Sequence, residues 1–260
     1  MAANSKISNK SVAKSLLIIE ALSQANAPMR LHDIALAVEM PDSTALRMIT
    51  ALMDFGYIYQ DRETLKYFLT LKFAKIGSIV SSRYSLRDIS HPILIELSDA
   101  CKEAACIAVM EKNQVIYIDV ADGPDGMLKV MQYIGKQAPM HCTGVGKCLL
   151  LNYSDENIDA LIKERGLHKY TPETITTKEA LVKELDLVRE RGYAFDDQEC
   201  ELGARCIAAC IRDYSGRIVA AISVSGPAIR VTHEYLESIS AYVVKSAKEI
   251  SAALSYIETP

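Results

Sequence analysis

The chain has 260 residues, 50% hydrophobic and 24% charged, with a net charge of −4. This is the composition of a globular protein with ample core material, and the length suits two domains of about 100 to 150 residues. Its apolar runs are short and broken by charge, as where Ser15–Ile19 meets Glu20, so none approaches the roughly 20 residues of a membrane span.

The polar start, Met1–Lys10, lacks the apolar stretch of a secretory signal, which predicts a cytoplasmic protein whose seven cysteines are thiols. Those cysteines, at 101, 106, 142, 148, 200, 206 and 210, contain no Cys-x-x-Cys pair. Neither a structural zinc site nor another cofactor is expected from that spacing. Charge is unevenly spread: residues 1–85 hold 10 Lys+Arg against 7 Asp+Glu, and residues 86–260 hold 19 against 26. Only the first third suits a polyanionic partner.

From Ser11, a plausible N-cap, Val12, Leu16, Ile19 and Leu22 recur at helical spacing and predict a first helix ending near Ser23. An Asn/Ala/Pro turn leads to a second helix marked by Leu31, Ile34, Ala35 and Val38. Met40-Pro41-Asp42 breaks the chain, and Asp42 or Ser43 can cap a third helix over Ser43–Phe55, closed by Gly56. Tyr57–Leu69 then reads as a β-hairpin around Asp61-Arg62-Glu63-Thr64. Three short helices and a hairpin, residues 1–70, form the order of a winged helix-turn-helix, with the third helix in the DNA major groove.

Residues 71–85 read as a linker helix, and another helix is expected from Leu86 to Cys101. Strands are expected at Cys106–Met110, Val115–Val120 and Leu128–Tyr133, and at Arg205–Arg212 and Ile218–Ser225 around a turn at Asp213–Gly216. Helices are expected near 145–151, 155–165 and 178–191, with a last one over His233–Tyr256. Hairpin connections favour an antiparallel sheet with helices against it, so the fold class is α+β.

The apolar face of the third helix is committed to packing, leaving Ser43, Thr44, Arg47, Thr50 and Ala51 outward, with Leu46 beside them. Arg can bond guanine bidentately, short hydroxyls suit phosphates or base edges, and Leu can touch a thymine methyl. Arg62 and Lys66 of the hairpin are candidate phosphate contacts, although a capping Ser43 and solvated surface cations explain the same residues.

In the second half, Pro139-Met-His-Cys-Thr-Gly-Val-Gly-Lys-Cys148 fails as a phosphate loop: His141 stands where the first glycine belongs, and Cys148 replaces the magnesium-binding hydroxyl. It is a glycine turn opening a helix, either holding a small anion through free N–H groups or simply turning. Asp196, Cys206, Ser223 and Ser225 can line a polar pocket with it, the two serines sharing one face of a strand. Each taken alone also fits a structural role. A nucleophilic reading of Cys142 or Cys206 with His141 as base is disfavoured, because adjacent residues 141 and 142 on an extended segment point apart. No catalytic residue is assigned.

Taken together, Ser11–Leu16, Ser43–Arg47, Pro139–Lys147, Gly192–Glu199, Gly203–Ala209 and Ala220–Pro227 resemble, in this order, the motifs of the IclR family of bacterial transcription regulators. The similarity spans about residues 11–256. It implies a winged helix-turn-helix, a linker helix and a GAF-like effector-binding domain over 86–260. It also implies a homodimer or dimer of dimers on a partly palindromic double-stranded DNA operator, and a small carboxylate or sugar-acid effector. Carried onto this sequence, the family's pocket positions are Gly144, Val145, Asp196, Cys206, Ser223 and Ser225. Val145 and Cys142 depart from the small residues common at their positions, which bears on pocket volume. The expected function is therefore repression of a catabolic operon. Alternatives are an activator of the same fold, an enzyme carrying a vestigial helix-turn-helix, and a thiol redox sensor using Cys142, Cys200 or Cys206.

Overall fold

A computed structural model describes residues 9–25, 27–81, 85–123 and 128–256. The chain divides into two compact units, residues 1–84 and 85–260.

In the first unit, α1 (Lys10–Gln24) begins one residue before Ser11. Asn9, not Ser11, is the cap: its side-chain oxygen accepts from the Ser11 and Val12 amides at 3.1 and 3.2 Å. Helix α2 is Leu31–Ala37 and α3 is Asp42–Asp54. Neither Asp42 nor Ser43 caps α3, because Pro41 in an extended conformation occupies the N-cap position. Asp42 instead sits in the first turn, where the helix dipole favours a carboxylate, and faces His32 Nδ1 at 3.2 Å. The helix ends as expected at Gly56 (φ +71), with Tyr57 N–H bonding the Leu52 carbonyl and Gly56 N–H the Met53 carbonyl, both at 2.8 Å. That pair of bonds is a Schellman closure, which a left-handed glycine supplies without strain.

The hairpin is β1 (Ile58–Gln60) and β2 (Tyr67–Leu69), paired Ile58 to Leu69 and Gln60 to Tyr67. Its turn is held by Asp61, whose carboxylate accepts from the Glu63 and Thr64 amides and the Thr64 hydroxyl. Met29, just before α2, bridges Tyr67 and adds a third short segment to the sheet. Ile18, Leu22, Ile34, Met48, Ile49, Ile58 and Tyr67 form the core. Helix α4 (Lys72–Ser81) leaves the hairpin through a polar and aromatic staple. Lys72 Nζ donates to the Phe55 carbonyl at 2.6 Å and lies 4.2 Å from the Tyr57 ring, which also meets Phe73. Residues 82–84 of the expected linker lie outside the described residues.

The second unit opens with α5 (Leu86–Cys101), started by a reciprocal Ser85/Asp88 capping box. Among the described residues its strands are β3 (Ala104–Glu111), β4 (Gln114–Ala121), β5 (Gln137–Ala138), β6 (Ala194–Asp197), β7 (Ala204–Arg212) and β8 (Ile218–Pro227). They pair antiparallel in the order β5-β4-β3-β8-β7-β6. The strand expected at Leu128–Tyr133 is absent: the bond to β4 is made further on, by β5, and Leu128, Met131, Tyr133 and Ile134 are exposed. Alternating apolar residues specify a strand only where a partner edge is in reach.

Helices α6 (Gly144–Leu150), α7 (Asp155–Arg165) and α8 (Lys178–Arg191) cover one face of the sheet, while α5 and α9 (His233–Ala253) cover the other. The two-residue period of the strands sorts the side chains. Ile207, Ala209, Ile222 and Val224 pack with Leu94, Leu97, Val243 and Ile250, whereas Cys106, Ala208 and Tyr117 pack with Val145, Leu149, Leu181 and Leu185.

Candidate functional site

On α3 the buried residues are Ala45, Met48 and Ile49, so helical periodicity turns Ser43, Leu46, Arg47, Thr50 and Ala51 to solvent. Thr44 is half-buried beside them, and the Thr50 hydroxyl donates to the Leu46 carbonyl at 2.9 Å, keeping its lone pairs outward. Arg62 is exposed at the hairpin tip and Lys66 half-buried at the head of β2. The face carries one guanidinium, short hydroxyls and one apolar side chain, which is the equipment of base-edge and phosphate contacts.

In the second unit, strand register assembles the candidate pocket. Asp196 of β6 pairs with Cys206 of β7, and Cys206 pairs with Ser225 of β8, so three sequence-distant residues form one row across the α6 face. Above this row is a cavity of about 140 Å³, lined by Asp196, Cys206 and Ser225 with Tyr117, Thr143 and Cys200, and closed by Gln132 and Lys136 from the segment before β5. Two polar atoms in these walls are buried without a partner, the Ser225 hydroxyl and the Gln132 carboxamide oxygen. Such groups cost free energy unless something bonds them.

Gly144, Val145 and Ser223 do not line this cavity. Ser223 lies one row further along, paired with Ala208 and Cys106, and α6 covers that row. A Cβ on Gly144 would meet the Ala208 Cβ at 3.2 Å and the Cys206 sulfur at 3.4 Å, so the helix sits close against the sheet with little room for a side chain there. Val145 is packed in the apolar cluster. Of the turn's amides, that of Gly146 is already taken. Thr143 caps α6, accepting from the Gly146 N–H at 3.1 Å while donating to the Pro139 carbonyl at 2.7 Å. Gly146 is required by space, because a Cβ there would lie 2.3 Å from the Met140 carbonyl oxygen.

Burial pushes the Asp196 carboxyl up to about 7, opposed by hydrogen bonds from the Glu199 and Cys200 amides. At neutral pH it is thus close to half-protonated and can donate as well as accept. Beneath it, Lys147 of α6 is fully buried, donates to the Phe195 carbonyl at 2.9 Å, and forms an ion pair with Glu199, with Glu184 of α8 at 3.7 Å. This pin joins α6, α8 and the turn after β6 that bears Glu199, three residues beyond Asp196. The His141 ring faces the His168 carbonyl at 3.1 Å, whereas Cys142 is fully buried.

Gln132, Lys136 and Cys200 are cavity residues that the pocket expectation did not include. Their signal is weak: Gln132 interrupts the apolar run read as a strand, and Lys136 follows it past Gly135.

Comparison with known proteins places this geometry. Residues 11–62 match the IclR helix-turn-helix domain, and residues 79–252 match the bacterial transcriptional regulator IclR C-terminal domain. The chain is 33% identical over 246 residues to the transcriptional repressor IclR of Escherichia coli K12, covering 94% of this chain and 89% of that protein. It is 29% identical over 245 residues to the HTH-type transcriptional repressor AllR of the same strain, covering 94% and 90% respectively. The crystal structure of the Thermotoga maritima IclR matches with a TM-score of 0.63 and 28% identity, covering 95% of this chain and 99% of that one.

Proposed function

The chain belongs to the IclR family of bacterial transcriptional regulators, and from that membership we propose that it is a cytoplasmic repressor of a catabolic operon, released by a small carboxylate bound in the cavity over the Asp196–Cys206–Ser225 row. The observation that carries this reading is the pair of unpartnered buried polar atoms, Ser225 Oγ and Gln132 Oε1, on residues that line the same cavity. A ligand with one acceptor and one donor satisfies both.

Lys136 and Arg205 line the cavity with Asp196 and Glu201, and Arg205 is paired with Asp197 at 2.6 Å, so Lys136 is the cation offered to an anion, and the raised pKa of Asp196 lessens the repulsion a full carboxylate would impose. Size sharpens the choice. A cavity of roughly 150 Å³ holds one benzene, so 140 Å³ suits about six heavy atoms, a three- or four-carbon oxo or hydroxy acid. A six-carbon sugar acid requires the 128–136 segment to move outward.

DNA is read by α3, with Arg47 on base edges, Ser43, Thr44, Leu46 and Thr50 beside it, and Arg62 and Lys66 on phosphates. The chain acts as a dimer or dimer of dimers on a partly palindromic operator, two-fold symmetry of protein and site matching each other. Apolar side chains left exposed on α1 (Val12, Leu16, Leu17) and α4 (Ile76, Val80) support a paired state. No catalytic step is assigned to the cavity.

The test is fluorescence anisotropy on DNA flanking the chain's own gene, against random DNA, with and without three- and four-carbon acids. Expected are a preference for the flanking DNA of about 10³-fold or more and a shift of roughly 5- to 150-fold by the effector. Ser225→Ala retains DNA binding and loses the shift; a normal shift in that variant removes the cavity from the reading. Arg47→Ala costs about 1 to 3 kcal/mol on the operator alone. Equal, weak binding to both DNAs overturns the assignment of that flanking DNA as operator.

A further inference from the structure

A second cleft, of about 210 Å³, shares Pro139 with the cavity over the Asp196–Cys206–Ser225 row. Its walls come from the turn between β3 and β4, from Pro139–His141, and from the end of α7 with the loop after it, where Arg165, His168 and Tyr170 stand. Among the described residues no carboxylate lines it, whereas Asp196 and Glu201 line the first cavity. We propose that this cleft binds an organic monocarboxylate with an apolar body, and that its occupancy acts on the effector cavity through the segment the two share.

Arg165 supplies the charge. Its Nη2 donates to the Lys112 carbonyl at 2.7 Å, which fixes the guanidinium at the end of α7, while its Nε is buried and makes no hydrogen bond. Glu164 Oε1 stands 3.2 Å from that Nε but off the N–H direction. The Glu164 carboxylate is solvent-exposed, is held through its other oxygen by Asn113 at 2.6 Å, and does not line the cleft. A buried donor without an acceptor favours a ligand that brings one, and a carboxylate on a guanidinium makes a charge-assisted bond. The rest of the interior suits an apolar body. Met140 and Leu161 are buried, and the His141 ring, 4% exposed, lies 6.1 Å from the Tyr170 ring. With Nε2 on the His168 carbonyl at 3.1 Å, His141 carries its hydrogen there, and burial lowers its pKa, so the ring is neutral at pH 7. One benzene fills roughly 150 Å³, so 210 Å³ suits about eight or nine heavy atoms, the size of benzoate and too large for the 140 Å³ cavity. The roomier cleft at the end of α8 has more cations, but Arg189 and Arg191 there are paired with Asp186 and Glu184 at 2.6 and 2.7 Å.

The shared segment supplies the path between the two spaces. The Pro139 carbonyl accepts from the Thr143 hydroxyl at 2.7 Å, and Thr143 both caps α6 and lines the effector cavity. Met140, the next residue, packs its backbone against the first turn of α6 so closely that a Cβ on Gly146 would lie 2.3 Å from the Met140 carbonyl oxygen. A ligand seated against Pro139 and Met140 therefore touches the residues that set the position of Thr143. Two ligands sharing one wall alter each other's affinity by the same factor.

The test titrates the full chain, methyl-labelled at methionine and leucine, with sodium benzoate. Expected are saturable shifts of the Met140 and Leu161 methyl signals, weakened about 10-fold or more in Arg165→Met and with benzamide, which keeps the ring and lacks the charge. Tyr170→Ala, at a residue 51% exposed, weakens binding without unfolding the chain, so the site does not rest on Arg165→Met alone. Benzoate binding persists in Ser225→Ala. Benzamide binding as tightly as benzoate, acetate giving the same shifts at the same concentration (an adventitious anion only), or shifts lost in Ser225→Ala each overturn the site. The coupling rests on the regulator reading and has its own arm: saturating benzoate changes by about 5-fold or more the concentration at which three- and four-carbon acids shift affinity for the flanking DNA, and does not in Arg165→Met. An unchanged concentration with benzoate bound overturns the coupling. If none of those acids acts, the effector reading falls and the coupling with it, while the methyl shifts still decide the benzoate site.

Discussion

The two faces of the six-stranded sheet are built to different rules. The face under α5 and α9 is mostly apolar, with Ile107, Ile207, Ile222 and Val224 packed against Leu94 and Val243, and its buried charge, Asp119 of β4, is held by Arg87 and His91 of α5. The face under α6 and α8 buries Lys147, Asp196, Glu199 and Ser225 along with its apolar residues. One face resists unfolding through area removed from water; the other spends part of that stability on charged and polar groups that only a ligand or an exact partner satisfies. Placing both on a single sheet lets the apolar face hold the strand register that aligns Asp196, Cys206 and Ser225.

Substitutions separate these roles, beginning with the greatest loss. Lys147→Met leaves Glu199 buried without its cation and is expected to cost about 3 to 5 kcal/mol, seen as a fall in Tm of the second unit. Changing Glu199 to Leu in the same chain recovers part of it. On the opposite face, Leu94→Ala is expected to cost about 2 to 5 kcal/mol through the cavity it opens, with the effector response unchanged in the fraction that remains folded. An effector response lost in Leu94→Ala at temperatures where it is folded would break the division between the faces.

Asp196 distinguishes the faces by pH. Its folded pKa, about 7, lies above the ordinary value of 3.8, so the folded chain binds the extra proton between those limits. Stability therefore falls as pH rises from about 4 to 7, by roughly 2 to 4 kcal/mol. Asp196→Asn removes that slope in urea melts recorded across the range, and an unchanged slope would assign it to another group. Smallest is Ser225→Ala, which deletes a buried hydroxyl that has no partner and is expected to alter stability by less than about 1 kcal/mol.

The same contrast explains what could be read from the residues alone. The solvent face of α3 depends on a local period, so Arg47 and its neighbours follow from the spacing of Ala45, Met48 and Ile49. Helix α5 is legible for a similar reason, with Ser85 and Asp88 marking its start. The cavity depends on pairings between strands: the serines at 223 and 225 share a face as expected, yet only the register and the Gly144 contact decide that Ser225 opens on the cavity while α6 covers Ser223. The apolar run at 128–134 looks like a strand but supplies cavity walls, Gln132 and its neighbour Val130, because β5 takes the edge of β4.

The staple at Lys72 gives the first unit a mechanical property. With its ammonium on the Phe55 carbonyl and over the Tyr57 ring, the first turn of α4 is clamped where α3 ends and the hairpin begins. There is no loose joint at that point to absorb a twist. Torque applied along α4 would then reach α3 as rotation rather than be lost at the junction, so an angular change of a few degrees at the helix would displace the α3 side chains proposed to contact DNA. Lys72→Ala would turn that lever into a hinge, and the two halves of an operator would then be read with less dependence on their spacing.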